Sequence, residues 1–171
     1  MGEEGRQLVY WLNSLPGKEC LFVDSVKDCA NGGALVEAAT ILCKKIDVEY
    51  TLPFIPPPTF GGGGEKKREE EMSNSISRCY HAMVMVKACA AQMGVEEEVE
   101  GWREEEEAVG IASGVSTSVL RFLHTCRTLF RYSDSYSHSH SRGGGDGDGD
   151  GERGSVRERE EGKGNNGGVK A

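Results

Sequence analysis

Apolar residues recur at helical spacing in several places along this chain. Leu8, Trp11, Leu12 and Leu15 fall at i, i+3, i+4 and i+7, one stripe of an amphipathic helix. The spacing predicts a helix over 3–15, with Glu3 and Glu4 in its opening turn, where carboxylates suit the helix dipole. Pro16-Gly17 stops it. Leu35, Ala38, Ala39 and Leu42 repeat the stripe after Asn31-Gly32-Gly33. Asp28 or Asn31 can cap this second helix, and Lys44-Lys45 close its last turn with the favoured sign. Leu21, Phe22 and Val23, between the two, are expected to plug a loop into the core. A third helix is expected from Ser73 to about Met93. Ile76, Tyr80, Met83, Val84 and Lys87 trace one of its faces, and Cys79, Val86, Ala90 and Met93 the next. So wide an apolar surface predicts a central helix. Gly94 ends it. After Ser116, Val119, Leu123, Cys126 and Phe130 make a last stripe, widened by Phe122 and Leu129. The tryptophan-bearing first helix is expected to pack on the glycine-led second one and seed a bundle without strands.

The segments between helices differ in kind. Pro53 and Pro56-Pro57-Pro58 impose an extended path on 47–60, which carries Phe54, Ile55 and Phe60 across a surface. The run is short and its flanks are aromatic, which favours a core-wrapping connector over a proline-rich ligand for another module. Residues 61–72 read GGGGEKKREEEM, a flexible glycine joint followed by a solvated charge run. A phosphate-cradling loop needs a strand before its glycines and a hydroxyl residue after its lysine; here Gly64 is followed by Glu65, Lys66 and Lys67. Residues 96–107 are strongly acidic, with Val99 and Trp102 as apolar anchors, and read as a loosely attached helix or solvated loop. Glutamates in such a run do acid–base chemistry only when buried neighbours separate their pKa values.

From Ser133 the apolar residues nearly vanish, and a disordered tail over 133–171 is expected. Asp146, Asp148, Asp150 and Gly151 match the first half of a calcium-binding loop, but its twelfth position, Arg157, should be glutamate. His138 and His140 have no third ligand spaced to complete a metal site. His124 reads as a surface histidine. Arg121, Arg127 and Arg131 share one side of the last helix, where an acidic partner or the chain's own glutamates can meet them.

Composition narrows the function classes. The hydrophobic fraction of 37% lies below the usual globular range. The deficit belongs to the glycine stretches at 61–64 and 143–168. The first 132 residues carry 14 Lys and Arg against 20 Asp and Glu. An acidic domain is a poor general binder of nucleic acid, which needs clustered positive charge. The six cysteines contain no C-x-x-C pair, and most fall on or beside apolar stripes. They are expected to be reduced core thiols, with no metal and no cofactor. The opening Met-Gly-Glu-Glu lacks the basic and apolar regions of a secretory leader. No apolar run is long enough for a membrane span.

LVYWLNSLP followed by VKDCANGGALVEAATILCKKID resembles the N-terminal helices of calponin-homology-like domains, and most closely the Hook-type variant of coiled-coil adaptors. The likeness rests on Leu8, Trp11, Leu12 and Ser14, then Asn31, Gly32 and Leu35, then Ile46 and Asp47. GIASGVSTSVLRFLHTC, from Gly110 to Cys126, resembles the family's late segment. The insertion at 61–72 and the proline-rich connector depart from the pattern, and no heptad repeat follows Tyr132. The resemblance implies an all-α, calponin-homology-like bundle over 1–132 with a flexible insertion at 61–72. It implies a non-enzymatic cytoplasmic module of the cytoskeleton that links dynein to cargo by holding an amphipathic helix of the light intermediate chain. Met83, Val84, Leu120, Phe122, Leu123 and Leu129 are the groove residues this implies; the competing reading of each is ordinary core. The alternative within the family is direct binding to microtubules or actin.

Overall fold

A computed structural model of the chain describes residues 2–19, 22–59 and 61–140, the last three as backbone only. Every regular element among the described residues is helical. Helix α1 spans Glu3–Asn13, and a 3-10 turn spans Val26–Asn31. Helix α2 spans Gly33–Lys45, and α3 spans Glu65–Met93. A second 3-10 turn, Glu96–Val99, leads to α4 at Glu104–Ala112 and α5 at Ser116–His140.

Helix α3 is the central element. It packs against α2, α4, α5 and both 3-10 turns. Its buried positions include Cys79, Ala82, Val86, Cys89 and Ala90, all with no accessible surface. Small side chains let neighbouring backbones come close, so one helix can serve many partners.

The expectation that α1 packs chiefly on α2 is corrected: its main neighbours are α5 and the first 3-10 turn. Trp11 meets Phe130 of α5 edge to face, with ring centroids 5.5 Å apart, the geometry that aromatic quadrupoles favour. The linker after α1 is tied back to that helix by one side chain. The Asn13 amide donates to the Val23 carbonyl at 2.7 Å and accepts from the Val23 N–H at 3.1 Å. Val23 is buried while Phe22 is exposed under Lys18, so Phe22 does not plug the core.

The turn before α2 is built by short polar side chains. The Asp28 carboxylate accepts from the Ser25 N–H at 2.8 Å, and Asn31 Oδ1 accepts from the Gly33 N–H at 2.9 Å. Gly32 lies between them with φ +75°. A Cβ at this position would stand 2.7 Å from Arg78 Cβ and 3.0 Å from the Cys79 backbone nitrogen. Left-handed backbone already costs an L-residue about 1–2 kcal/mol. Gly32→Ala is therefore expected to lose at least about 2 kcal/mol, with the steric clash added to the backbone term. Urea denaturation measures it.

Two boundaries move. Helix α3 begins at Glu65, not at Ser73, so most of the expected flexible insertion is helix. After Gly64 the run has no breaker, and its Glu, Lys and Arg are strong helix formers. Helix α5 continues past Tyr132: Ser133 is fully buried, Tyr136 packs on the core, and Lys45 pairs with Asp134. The folded unit thus extends beyond residue 132. The serines that suggested a tail are accommodated because Ser133 Oγ and Ser137 Oγ donate to carbonyls one turn back, Phe130 and Ser133.

Arg78 ties the proline connector to α3. Its side chain is buried. Nε and Nη2 donate to the Pro56 carbonyl at 3.1 and 3.0 Å. Nη1 donates to the Asn31 carbonyl at 2.6 Å. Nη1 and Nη2 each reach Glu71 Oε1 at 3.1 Å. Glu71 lies two turns earlier on the same helix, inside the run that reads as solvated. Proline offers carbonyls and no N–H, so an extended proline segment on a core needs donors from outside, and this guanidinium supplies them.

Candidate functional site: an acidic-rimmed groove beside the central helix

Val84, Lys87, Ala88 and Ala91 fall at i, i+3, i+4 and i+7 along α3, on a face that neighbours the buried stripe. Val84, Lys87 and Ala88 are half-buried and Ala91 is exposed. Gly94, with φ +71°, ends the helix in the left-handed region. Its N–H bonds the Ala91 carbonyl, and the Val95 N–H bonds that of Ala90. The chain then doubles back through Glu96–Val99 and Trp102 to form a facing wall. The result is an open groove of about 750 Å³.

Its wall is firmly anchored, contrary to the expectation of a loose acidic loop. Val99 and Trp102 are buried, and the Trp102 ring stacks on Phe122 of α5 with centroids 5.8 Å apart. Tyr132 on α5 donates to Glu98 at 3.2 Å. Lys87 pairs with Glu104 across the groove and joins its two walls. The hydrogen bond from Lys87 holds the Glu104 carboxyl below the usual range. A depressed carboxyl pKa favours the fold above its ordinary value, and that contribution disappears as pH falls through the lowered one. The rim carries Glu96, Glu97 and Glu100, all exposed. Lys87, the cation lining the groove, is already paired with Glu104, so an apolar floor with a negative rim suits an apolar ligand flanked by cations.

The sequence-based groove residues are not brought together. Met83, Phe122, Leu123 and Leu129 are core, with at most 2% of their surface accessible. Each sits on the inner face of its helix, where α3 and α5 meet their neighbours. Val84 alone of the six lines this groove. Leu120 lines a separate cavity of about 270 Å³ with Gly5, Val26 and Ser116. Ala88, Ala91 and Trp102 are the residues that sequence reasoning did not assign to a site. The available signal was a tryptophan set among glutamates, which a solvated loop has no use for.

His124 is exposed, 3.6 Å from Glu4, and Arg121 pairs with Glu107 at 2.7 Å. Among the described residues, no group of three or more His, Cys, Asp or Glu side chains could hold a metal ion. No helix of the described residues is long and apolar enough to cross a membrane. The Asp146–Asp150 pattern, Cys20, Leu21, Phe60 and the side chains of His138 and His140 lie outside the described residues.

No family model matches this chain, nor does any curated protein or solved structure. The groove's own geometry therefore carries the functional argument.

Proposed function

We propose that this protein is a non-enzymatic interaction module of the cytoskeleton, of the Hook-type calponin-homology-like kind, acting in the cytoplasm. In this reading it links dynein to cargo by holding an amphipathic helix of the light intermediate chain. The single observation that carries the reading is the groove along α3. Val84, Ala88 and Ala91 offer an apolar floor, Trp102 an aromatic wall, and Glu96, Glu97 and Glu100 a negative rim. Helix-in-groove recognition needs such a floor and reads anchors at i, i+3, i+4 and i+7. The rim adds a requirement: the bound helix carries Lys or Arg beside its apolar stripe.

Direct docking on microtubules or actin is less well supported. Those filaments are acidic, and several of this chain's basic groups already face its own carboxylates. Lys45 pairs with Asp134, Arg78 with Glu71, Lys87 with Glu104 and Arg121 with Glu107.

The test is a binding assay of the full chain against a synthetic light-intermediate-chain helix and against polymerised tubulin. Binding to the helix is expected, and it weakens as salt rises because exposed rim charges are screened. Binding to tubulin alone would reject the reading.

A further inference from the structure

Five free cysteines lie in the described core, and they are not alike. Burial pushes the thiols of Cys29, Cys79 and Cys126 up to about 12, where almost no reactive thiolate exists near neutral pH. Cys43 on α2 and Cys89 on α3 form a different arrangement. Their sulfurs are 3.3 Å apart across the helix–helix contact. Cys43 also lines a cavity of about 400 Å³, together with Thr40, Lys44, Tyr50 and Met85. Cys89 is not among the residues that line it. The hydrogen bond they share, in which either sulfur can be the donor, lowers the Cys43 thiol and raises that of Cys89. Cys43 thus borders space that a small reagent can enter, and the second sulfur stands within contact distance of the first.

We propose that Cys43 and Cys89 are an oxidisable dithiol: a small peroxide entering the cavity reacts at Cys43, and Cys89 then closes an interhelical disulfide. In the first step the Cys43 thiolate attacks a peroxide oxygen and the O–O bond breaks. For hydrogen peroxide the leaving hydroxide takes a proton and departs as water, and Cys43 becomes a sulfenic acid. In the second step the Cys89 sulfur attacks the Cys43 sulfur, the S–O bond breaks, and the Cys89 proton leaves with the hydroxide as a second water. Two thiols are oxidised and one peroxide is reduced. The bridge joins α2 to the α3 turn whose Ala88 and Ala91 line the groove, so oxidation fixes the helix that carries the floor.

The experiment uses the reduced full chain, exposed to stoichiometric hydrogen peroxide under native conditions and then alkylated. Non-reducing digestion and mass spectrometry are expected to recover a Cys43–Cys89 linked peptide, with Cys29, Cys79 and Cys126 alkylated only after unfolding. Cys89→Ala is expected to leave Cys43 as a sulfenic acid that dimedone captures, and Cys43→Ala to leave Cys89 without a dimedone adduct. A bridge to any other cysteine would overturn the proposal. So would a pair that stays reduced until urea is added. The unaltered chain supplies this readout even if a variant fails to fold.

Discussion

Arg78→Met is expected to remove about 3–5 kcal/mol of stability, the usual cost of deleting one partner of a buried ion pair. Methionine keeps much of the apolar stem but supplies no donor. The carbonyls of Pro56 and Asn31 and the Glu71 carboxylate then lose their shared partner. A fully buried acceptor left unmade costs about 1–3 kcal/mol, and these three are half-buried, so each adds a smaller share. Domains of this size have only about 5–15 kcal/mol in total, so the loss is a large fraction. Urea unfolding with an unchanged slope is the measurement. Arg78→Lys is expected to recover only part of the loss, because one ammonium cannot serve two carbonyls and a carboxylate in fork geometry. Removing Arg6 or Arg103 makes the contrast. Their pairs with Glu3 and Glu106 are solvent-exposed, and such pairs contribute about 0–1 kcal/mol.

The second large effect is expected from Phe122→Ala, about 3–5 kcal/mol for an aromatic truncation in a core. Phe122 is 1% accessible and stacks on Trp102. Its loss removes the support beneath the groove's wall, so Trp102 fluorescence shifts to the red as stability falls. Were Phe122 a groove residue, the substitution would weaken partner binding and leave the melting temperature unchanged. Thermal denaturation followed by fluorescence separates the two.

The helical stripes were legible because each core helix repeats its apolar residues at a regular spacing. Leu8 and Leu12, Leu35 and Leu42, and Val119 and Leu123 are all buried where that spacing puts them. Periodicity says which face is inward but not which neighbour it meets. The stripe on α1 therefore does not reveal that it meets α5. The charge run at 65–72 hid a helix because its polar residues carry no stripe; Glu71 pairs with Arg78 two turns on and accepts from the Thr59 hydroxyl, contacts with no apolar signature. Ser133 hid the end of α5 for a similar reason, since a serine bonded to its own helix is invisible to hydropathy. The groove was the least legible feature. Alanines at 88 and 91 look like filler in any helix, and the facing wall depends on the chain reversing at Gly94. Large residues such as Leu129 and Phe122 were the natural choices for a binding face, and the fold spends them on the core.

We propose that a partner helix docks along the outer face of α3. Its most direct test is the affinity of the light-intermediate-chain helix for the full chain, measured by calorimetry for Ala91→Arg and Leu120→Arg side by side. Ala91 is exposed in the last turn of α3, where a cation suits the helix dipole, so the fold should tolerate the arginine while the groove loses its floor. The expected result is a loss of about tenfold or more for Ala91→Arg, a change of at least about 1.4 kcal/mol, with Leu120→Arg unchanged. Undiminished binding by Ala91→Arg, together with loss in Leu120→Arg, would contradict it.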